Sequence, residues 1–398
     1  MKILQITPRL PFPTTDGGAV YIFNTTKFLA ELGHEITLAS FISNKHAQDE
    51  GGISEYAKVH TIDGQFSPYG FLAALKSSIL RKPITITHRM NRKLMCTVLK
   101  EINTAPDIIL LEGLHTAEFF DDVRLKFPDI PIILRQSNVE YLLLVRNAKT
   151  NSNPFIKLFL LDQARLMKKY ELAAMSKADA VTAISSYDKA VYLDDLPELD
   201  CFVSPAGSEI YPFAKKNRKQ LSLLAISNWR WSPNLEGIKW FLEEIWPLVI
   251  SQHPKVHLDI VGEGLPKELL KKHGSYNIQY HGFVKDLEPY RHSATLFIAP
   301  LLSGSGMKLK VIEGLASGLP LITTSIGAEG IDIQDKVHYM NADSAREFVD
   351  KISLVLTDIA LQKKLSENAI QVIQQNYDWL SITKRLESFL QKVIDQKS

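Results

Sequence analysis

Cysteine is scarce in this chain. Its two residues, Cys96 and Cys201, lie far apart and outside any metal-ligand spacing. That excludes a disulfide frame and a zinc site and fits a reducing compartment. No apolar run approaches the roughly 20 residues that cross a bilayer. The opening MKILQIT reads as a first buried strand, because it lacks the long apolar core and small-residue cleavage site of a secretory signal. The expectation is a cytoplasmic protein, with peripheral contact at the inner face of the cell membrane as an extension of it. Excess charge of one sign is missing too. With 46 Lys and Arg against 44 Asp and Glu, a net charge of +2, bulk nucleic-acid binding is not indicated. Short-period repeats and low-complexity segments are absent as well.

What the chain does have is length and alternation. Its 398 residues are too many for one ordinary core, so two domains are expected. Its 45% hydrophobic and 23% charged residues suit a soluble globular protein. In the first half, short apolar runs predict strands at 2–7, 35–41, 58–62, 107–111, 131–134 and 180–184. Helical periodicity lies between them, as at 19–32, where Gly33 closes the helix. Around SPAGSEIYPFAKKNRKQ the chain turns Pro-, Gly- and Lys-rich, which reads as a linker. The alternation then restarts, with strands at 221–226, 256–261, 278–281, 296–300 and 319–324 and helices such as 235–250 and 307–317. From Asp343 on the pattern is helical only.

Strand–helix alternation means a parallel sheet covered on both faces. The predicted fold class is therefore α/β, two doubly wound, Rossmann-like parallel-sheet domains. Their bounds are 1–205 and 206–377, with the final helix 378–396 packing back on the first domain. Ligands in such sheets bind beyond the carboxyl ends of the strands, so the expected site is a cleft between facing domains.

The stretch that carries most chemistry is SGSGMKLKVIEGLASGLP, Ser303–Pro320, a strand-to-helix loop with glycines beside lysine. Gly304 and Gly306 allow close backbone approach to a ligand. The first helical turn offers free N–H groups and a dipole, and Lys308 adds a full charge, so an anion fits there. The P-loop pattern fails because Met307 separates Gly306 from Lys308, and the dinucleotide fingerprint fails for want of a glycine at Leu309. Glu313 lies on a helix whose other positions are largely apolar, so a donor partner such as a ribose diol suits its carboxylate.

The longer segment APLLSGSGMKLKVIEGLASGLPLITTSIGAEGID resembles the C-terminal signature of the group 1, family 4 glycosyltransferases of the GT-B fold. It is especially similar to the branch reading small-Gly-x-Gly-x-Lys-x-Lys-x-x-Glu. DGGAVYIFNTTKFLAELGHEITL, LRQSNVEYLLLVRNA, SNWRWSPNLEGIKWFLEEIWPLV, LDIVGEG and HGFVKDLEPY match further blocks in the expected order. The resemblance implies retaining transfer of a sugar from a nucleotide-diphosphate sugar to a hydroxyl of a glycan or lipid-linked acceptor, as in cell-surface polysaccharide or lipopolysaccharide synthesis.

By that resemblance Glu313 holds the nucleotide ribose, and Lys308 and Arg230 face the diphosphate. Gly304, Ser305, Gly306 and Met307 touch the donor, with Asn228 beside them, while the backbone at Phe283 and Val284 frames the base. Gly17 and Gly18 pass near the phosphates, and His115 is the active-site histidine. Asn138 and Glu140 are acceptor-side candidates. Ser305 stands where many relatives carry a first glutamate, Ser137 where they often show histidine, and the lysine usual shortly after Arg230 is missing.

No Asp-x-Asp lies at a strand end. The pairs Asp121–Asp122 and Asp194–Asp195 read as solvated, so neither a metal nor any other cofactor is expected. Fixed cations and helix N–H groups can stabilise the departing diphosphate instead. Two rivals stay open: a nucleotide-sugar epimerase of the same architecture, and a non-catalytic glycan- or nucleotide-binding relative. A nicotinamide dehydrogenase lacks its fingerprint. The run RKPITITHRMNRK, Arg81–Lys93, holds five cations and no acid, and reads either as a solvated helix face or as a patch for an anionic membrane surface.

Overall fold

The apolar runs of the first half become the strands of one parallel sheet in the computed structural model. The structure describes residues 1–14, 16–42, 52–63, 77, 79–87, 92–211, 221–273, 277–304 and 306–397. Two compact units are formed, Met1–Ala206 with Trp379–Ser398, and Gly207–Asp378.

The first unit holds β1 (Lys2–Thr7), β2 (Glu35–Ile42), β3 (Lys58–Asp63), β4 (Ile108–Glu112), β5 (Ile132–Arg135), β6 (Ala180–Ala183) and β7 (Cys201–Val203). Their order is β3-β2-β1-β4-β5-β6-β7, and every pairing is parallel. The register sets Ile3 beside both Ile36 and Ile108, so the central strands are buried on both faces, as their unbroken apolar runs require. The helix Gly17–Glu31 starts two residues before the apolar periodicity does. Asp16 accounts for this: its side chain accepts from the N–H groups of Gly18 and Ala19, the usual work of an aspartate N-cap.

A polar chain crosses this core. Gln5 donates to the Glu112 carboxylate at 2.7 Å, Arg135 donates to the same oxygen at 2.5 Å, and Thr26 donates to Gln5. Arg135 also donates to Thr25 Oγ1 at 3.1 Å and lies over the Tyr21 ring. Burial alone would disfavour its charge, but Glu112 and Tyr21 hold it up.

The final helix, Trp379–Lys397, belongs to this unit. Leu386, Phe389, Leu390 and Val393 join the same core as Ile3, Leu29, Leu38, Ile108 and Ile133. Phe389 stacks on Phe202, and Trp379 stacks on Phe28.

The second unit holds β8 (Ser222–Ile226), β9 (His257–Val261), β10 (Ile278–Gly282), β11 (Leu296–Ala299), β12 (Leu321–Thr323) and β13 (Met340–Asn341). They lie in the order β10-β9-β8-β11-β12-β13, again all parallel. The helix expected over 235–250 is three pieces: Ser232–Trp240, a wide π turn Phe241–Ile245, and Trp246–Gln252. Pro247 causes the break, because it has no N–H for the regular ladder. The Trp246 N–H reaches back five residues to Phe241 O instead, as in a π-bulge. Only the first part of the sequence read as a linker is described. There Ser208 N donates to Tyr377 O and Tyr211 N to Ala316 O.

Candidate functional site

All strands of the second sheet are parallel, so the segments leaving β8, β9, β10 and β11 emerge at one edge. Three of them are laced together. Ser227 N donates to Val261 O, Gly262 N to Gly282 O at 2.7 Å, and Trp229 N to Glu263 O at 2.8 Å. Gly262 has φ +114°, and a Cβ there would lie 1.8 Å from Ser227 O. Gly262→Ala is therefore expected to lower stability by more than about 2 kcal/mol, measured as the shift in the denaturant midpoint.

The β11 segment carries the glycine loop. Gly304 and Gly306 take φ +129° and +67°, a region that favours glycine. Ser305 lies outside the described residues. Thr324 Oγ1 donates to Leu301 O at 2.5 Å, and Ser303 Oγ donates to the Glu236 carboxylate. The helix begins at Leu309, two residues later than the pattern predicts, with Lys308 as its N-cap residue. Lys308 is only 8% exposed, and its Nζ lies 3.7 Å from Glu329. A buried, fixed cation thus stands at a helix N-terminus beside two glycines.

One turn along, Glu313 is half-buried. Burial pushes its carboxyl up, against the pull of Arg291 and Lys310. Arg291 is buried, with its guanidinium 3.5 Å over the Tyr211 ring. Lys310, unassigned from sequence, donates to Ser227 Oγ at 2.9 Å and to Asn234 Oδ1. Burial pushes its amine down to about 7, opposed by Glu313 and reinforced by Lys308. An arriving anion would favour its charged form.

Arg230 is at the surface, 69% exposed, where it pairs with Glu263 at 2.9 Å. Such pairs are weak, so the guanidinium can exchange partners at little cost. Asn228 shapes this turn, its Oδ1 accepting from Arg230 N and its carbonyl from Asn234 Nδ2. Phe283 is exposed after β10, while Val284 and Met307 pack against one apolar cluster.

The remaining predicted residues lie on the first unit, near the ends of three neighbouring strands. Gly17 and Gly18 open a helix after β1. His115 sits half-buried in the 3-10 turn Leu114–Phe119 that follows β4. Asn138 and Glu140 follow β5. Tyr192 OH donates to Asn138 O at 2.9 Å, and the Glu140 and Tyr141 N–H groups donate to Glu171.

Glu171 is fully buried, and burial with the nearby Glu140 pushes its carboxyl up to about 8. A carboxyl raised on folding stabilises fully below its ordinary pKa, and that contribution is lost as pH rises through the folded value. Stability should therefore fall between about pH 4.5 and about pH 8, and Glu171→Gln should flatten the fall. Urea midpoints of both proteins at about pH 5 and about pH 9 check this.

Among the described residues no group of three or more His, Cys, Asp or Glu is placed to hold a metal ion. Asp121 pairs with Lys177 and Asp195 with Lys168. Within the basic run Lys82 pairs with Glu118 at 3.2 Å and Arg81 is exposed, while Arg89 lies outside the described residues.

Comparison with known proteins bears directly on the second unit. Residues 220–358 match the family model of group 1 glycosyl transferases. The matched stretch lies within the second unit, Gly207–Asp378. Asn228, Arg230, Phe283, Val284, Gly304, Gly306, Met307, Lys308 and Glu313 all fall inside it. Over almost the whole length, the chain is 22% identical to an uncharacterized 44.6 kDa protein in the cps region of Klebsiella pneumoniae, covering 95% of this chain and 96% of that one.

Among solved structures, sucrose-phosphate synthase from Thermosynechococcus elongatus superposes with TM-score 0.71 at 16% identity, covering 100% of both chains. HepE of Anabaena in complex with UDP superposes with TM-score 0.70 at 13% identity, covering 98% of this chain and all of the other. The fold is that of the GT-B glycosyltransferases. Within the matched stretch, sequence reasoning had missed Lys310, Arg291 and Glu263 as site residues. The signals for Lys310 were its place as the second lysine of the small-Gly-x-Gly-x-Lys-x-Lys-x-x-Glu pattern and its position three residues before Glu313, on the same helix face.

Proposed function

We propose that the chain is a retaining, metal-independent transferase that moves a sugar from a nucleotide-diphosphate donor to a hydroxyl of a glycan or lipid-linked acceptor in cell-surface polysaccharide synthesis. The observation that carries this reading is Lys308, a buried cation at a helix N-terminus beside Gly304 and Gly306, with Glu313 one turn further on. Breaking a sugar–phosphate bond leaves negative charge on the departing diphosphate. A fixed cation and free helix N–H groups stabilise that charge without reorganising. Lys310 adds charge as the anion enters, and Arg230 can leave Glu263 for it. Glu313 accepts from the ribose hydroxyls, and Phe283 and Val284 border the base. On the first unit, His115, Asn138, Glu140 and the Gly17–Gly18 turn serve the acceptor and the transferred sugar.

The HepE complexes with UDP and with UDP-glucose support a nucleotide-sugar donor, and the cps-region relative supports a polysaccharide role. A thermal-shift screen over nucleoside diphosphates and nucleotide sugars tests the donor. A ligand at 100 times its Kd should stabilise the protein by about 2.7 kcal/mol, and Glu313→Ala should abolish the shift. Stabilisation by no nucleotide would refute the reading. A shift with neither hydrolysis nor transfer from any donor would favour a binding protein, and an epimer formed without acceptor would favour an isomerase.

A further inference from the structure

The helix Pro154–Met175 opens on PFIKLFLL. A surface helix of a soluble protein buries one apolar stripe, but these two turns are apolar nearly all round and face solvent. Phe155 is 83% exposed and Leu158 69%, and Ile156, Phe159 and Leu161 are exposed as well. A buried stripe begins only at Gln163, followed by Ala164, Leu166 and Met167.

A second segment adds to this surface. Gln163 Oε1 accepts from Ile84 N at 2.9 Å, and Gln163 Nε2 donates to Ser77 Oγ at 3.2 Å. That fastens Ser77 and Ile84 to a residue about 3 Å along the axis from Leu161, at 1.5 Å rise per residue. Between the fastened ends Ile79 is 71% exposed, and Leu80 is exposed too. Scattered exposed leucines need no explanation, but a contiguous apolar patch marks an interaction site.

Charge identifies the partner. From Tyr141 to Leu161 the chain holds Arg146, Lys149 and Lys157 and no acid. Lys149, Lys157, Arg81 and Lys82 are all exposed around the apolar turns. Two acids near this surface are paired, Glu118 with Lys82 and Asp162 with Arg165. A second copy of the chain fits poorly. A two-fold contact through this patch would set Lys149 and Lys157 against their own images, and like charges across an interface oppose binding.

We infer that the Phe155–Leu161 turns, with Ile79 and Leu80, dock the first unit on an anionic lipid bilayer. The aromatic and aliphatic side chains enter the boundary between headgroups and acyl chains, and the surrounding cations meet lipid phosphate. Arg81 and Lys82, which open the basic run, are then at the rim of the contact, and its centre is an apolar helix end. The inference does not depend on sugar transfer, since an inactive protein with this surface would dock equally well.

The test is co-sedimentation of the full chain with vesicles of phosphatidylglycerol mixed with phosphatidylcholine, and of phosphatidylcholine alone. The wild type should partition at least about tenfold better onto the anionic vesicles at low salt, and salt should reduce that preference. Phe155→Ser with Leu158→Ser should lower partitioning more than about tenfold at any salt. Lys149→Ala with Lys157→Ala should weaken only the preference for the anionic surface. Both pairs replace exposed side chains, so melting temperature and nucleotide-induced shift should be unchanged, which separates this result from a failure of the donor site. The inference is overturned if the wild type ignores anionic vesicles at low salt, or if the serine pair binds them like the wild type. It is overturned equally if the wild type is a dimer that the serine pair converts to monomer.

Discussion

Lys308→Ala is expected to slow sugar transfer by about 10²–10³-fold, the usual cost of removing a preorganised group that stabilises developing charge, while the melting temperature moves by only a few degrees. The reason is position. Lys308 is the N-cap residue of Leu309–Ala316, its side chain is nearly enclosed, and Glu329 lies near its ammonium. A cation held there needs no rearrangement when the diphosphate departs. The fold loses little, because Glu329 is partly exposed and can take up water once its neighbour is gone. Lys308→Arg should restore only part of the rate, since a planar fork does not replace a compact ammonium. Steady-state kinetics with calorimetric donor affinity separates lost binding from lost turnover, and wild-type values for both would remove Lys308 from the phosphates.

The largest stability effect is expected from Glu112→Leu, at about 3–5 kcal/mol, the cost of leaving a buried ion without its partner. Arg135 and Glu112 are almost wholly enclosed. With the carboxylate gone, Arg135 keeps Thr25 and the Tyr21 ring but no counter-charge, and Gln5 loses its acceptor. Arg135→Met combined with Glu112→Leu should recover much of the loss, because neither charge is then stranded. Urea unfolding of the three variants, followed at the transition of the first unit, gives the comparison. A double variant no better than either single one would show that the pair stabilises beyond its own desolvation.

Much of the fold was legible because central parallel strands must be apolar on both faces. Period-two alternation is not needed to find β4 or β5: unbroken apolar runs, as in IILLE, suffice. The strands that escaped were β7 and β13, three and two residues long, too short to show a period. The split of the 235–250 helix was written in Pro247, but how the break is absorbed depends on packing. At the site, the glycines, Lys308 and Glu313 could be found because one short segment carries them all. Lys310, Arg291 and Glu171 could not, because what sets them apart is burial by partners far away in the chain. Lys310 bonds to residues 83 and 76 positions away, a distance over which local spacing says nothing.

The return of the chain to its first unit has a consequence for synthesis. The last helix completes a core begun at Ile3, so a ribosome must finish the whole second unit before the first can close. Until then the surface that Leu386, Phe389, Leu390 and Val393 will cover stays open, a period in which nascent chains are prone to misassembly. A premature stop near residue 379 would therefore damage the part of the protein made first, and leave the part just made, Gly207–Asp378, with its own core intact.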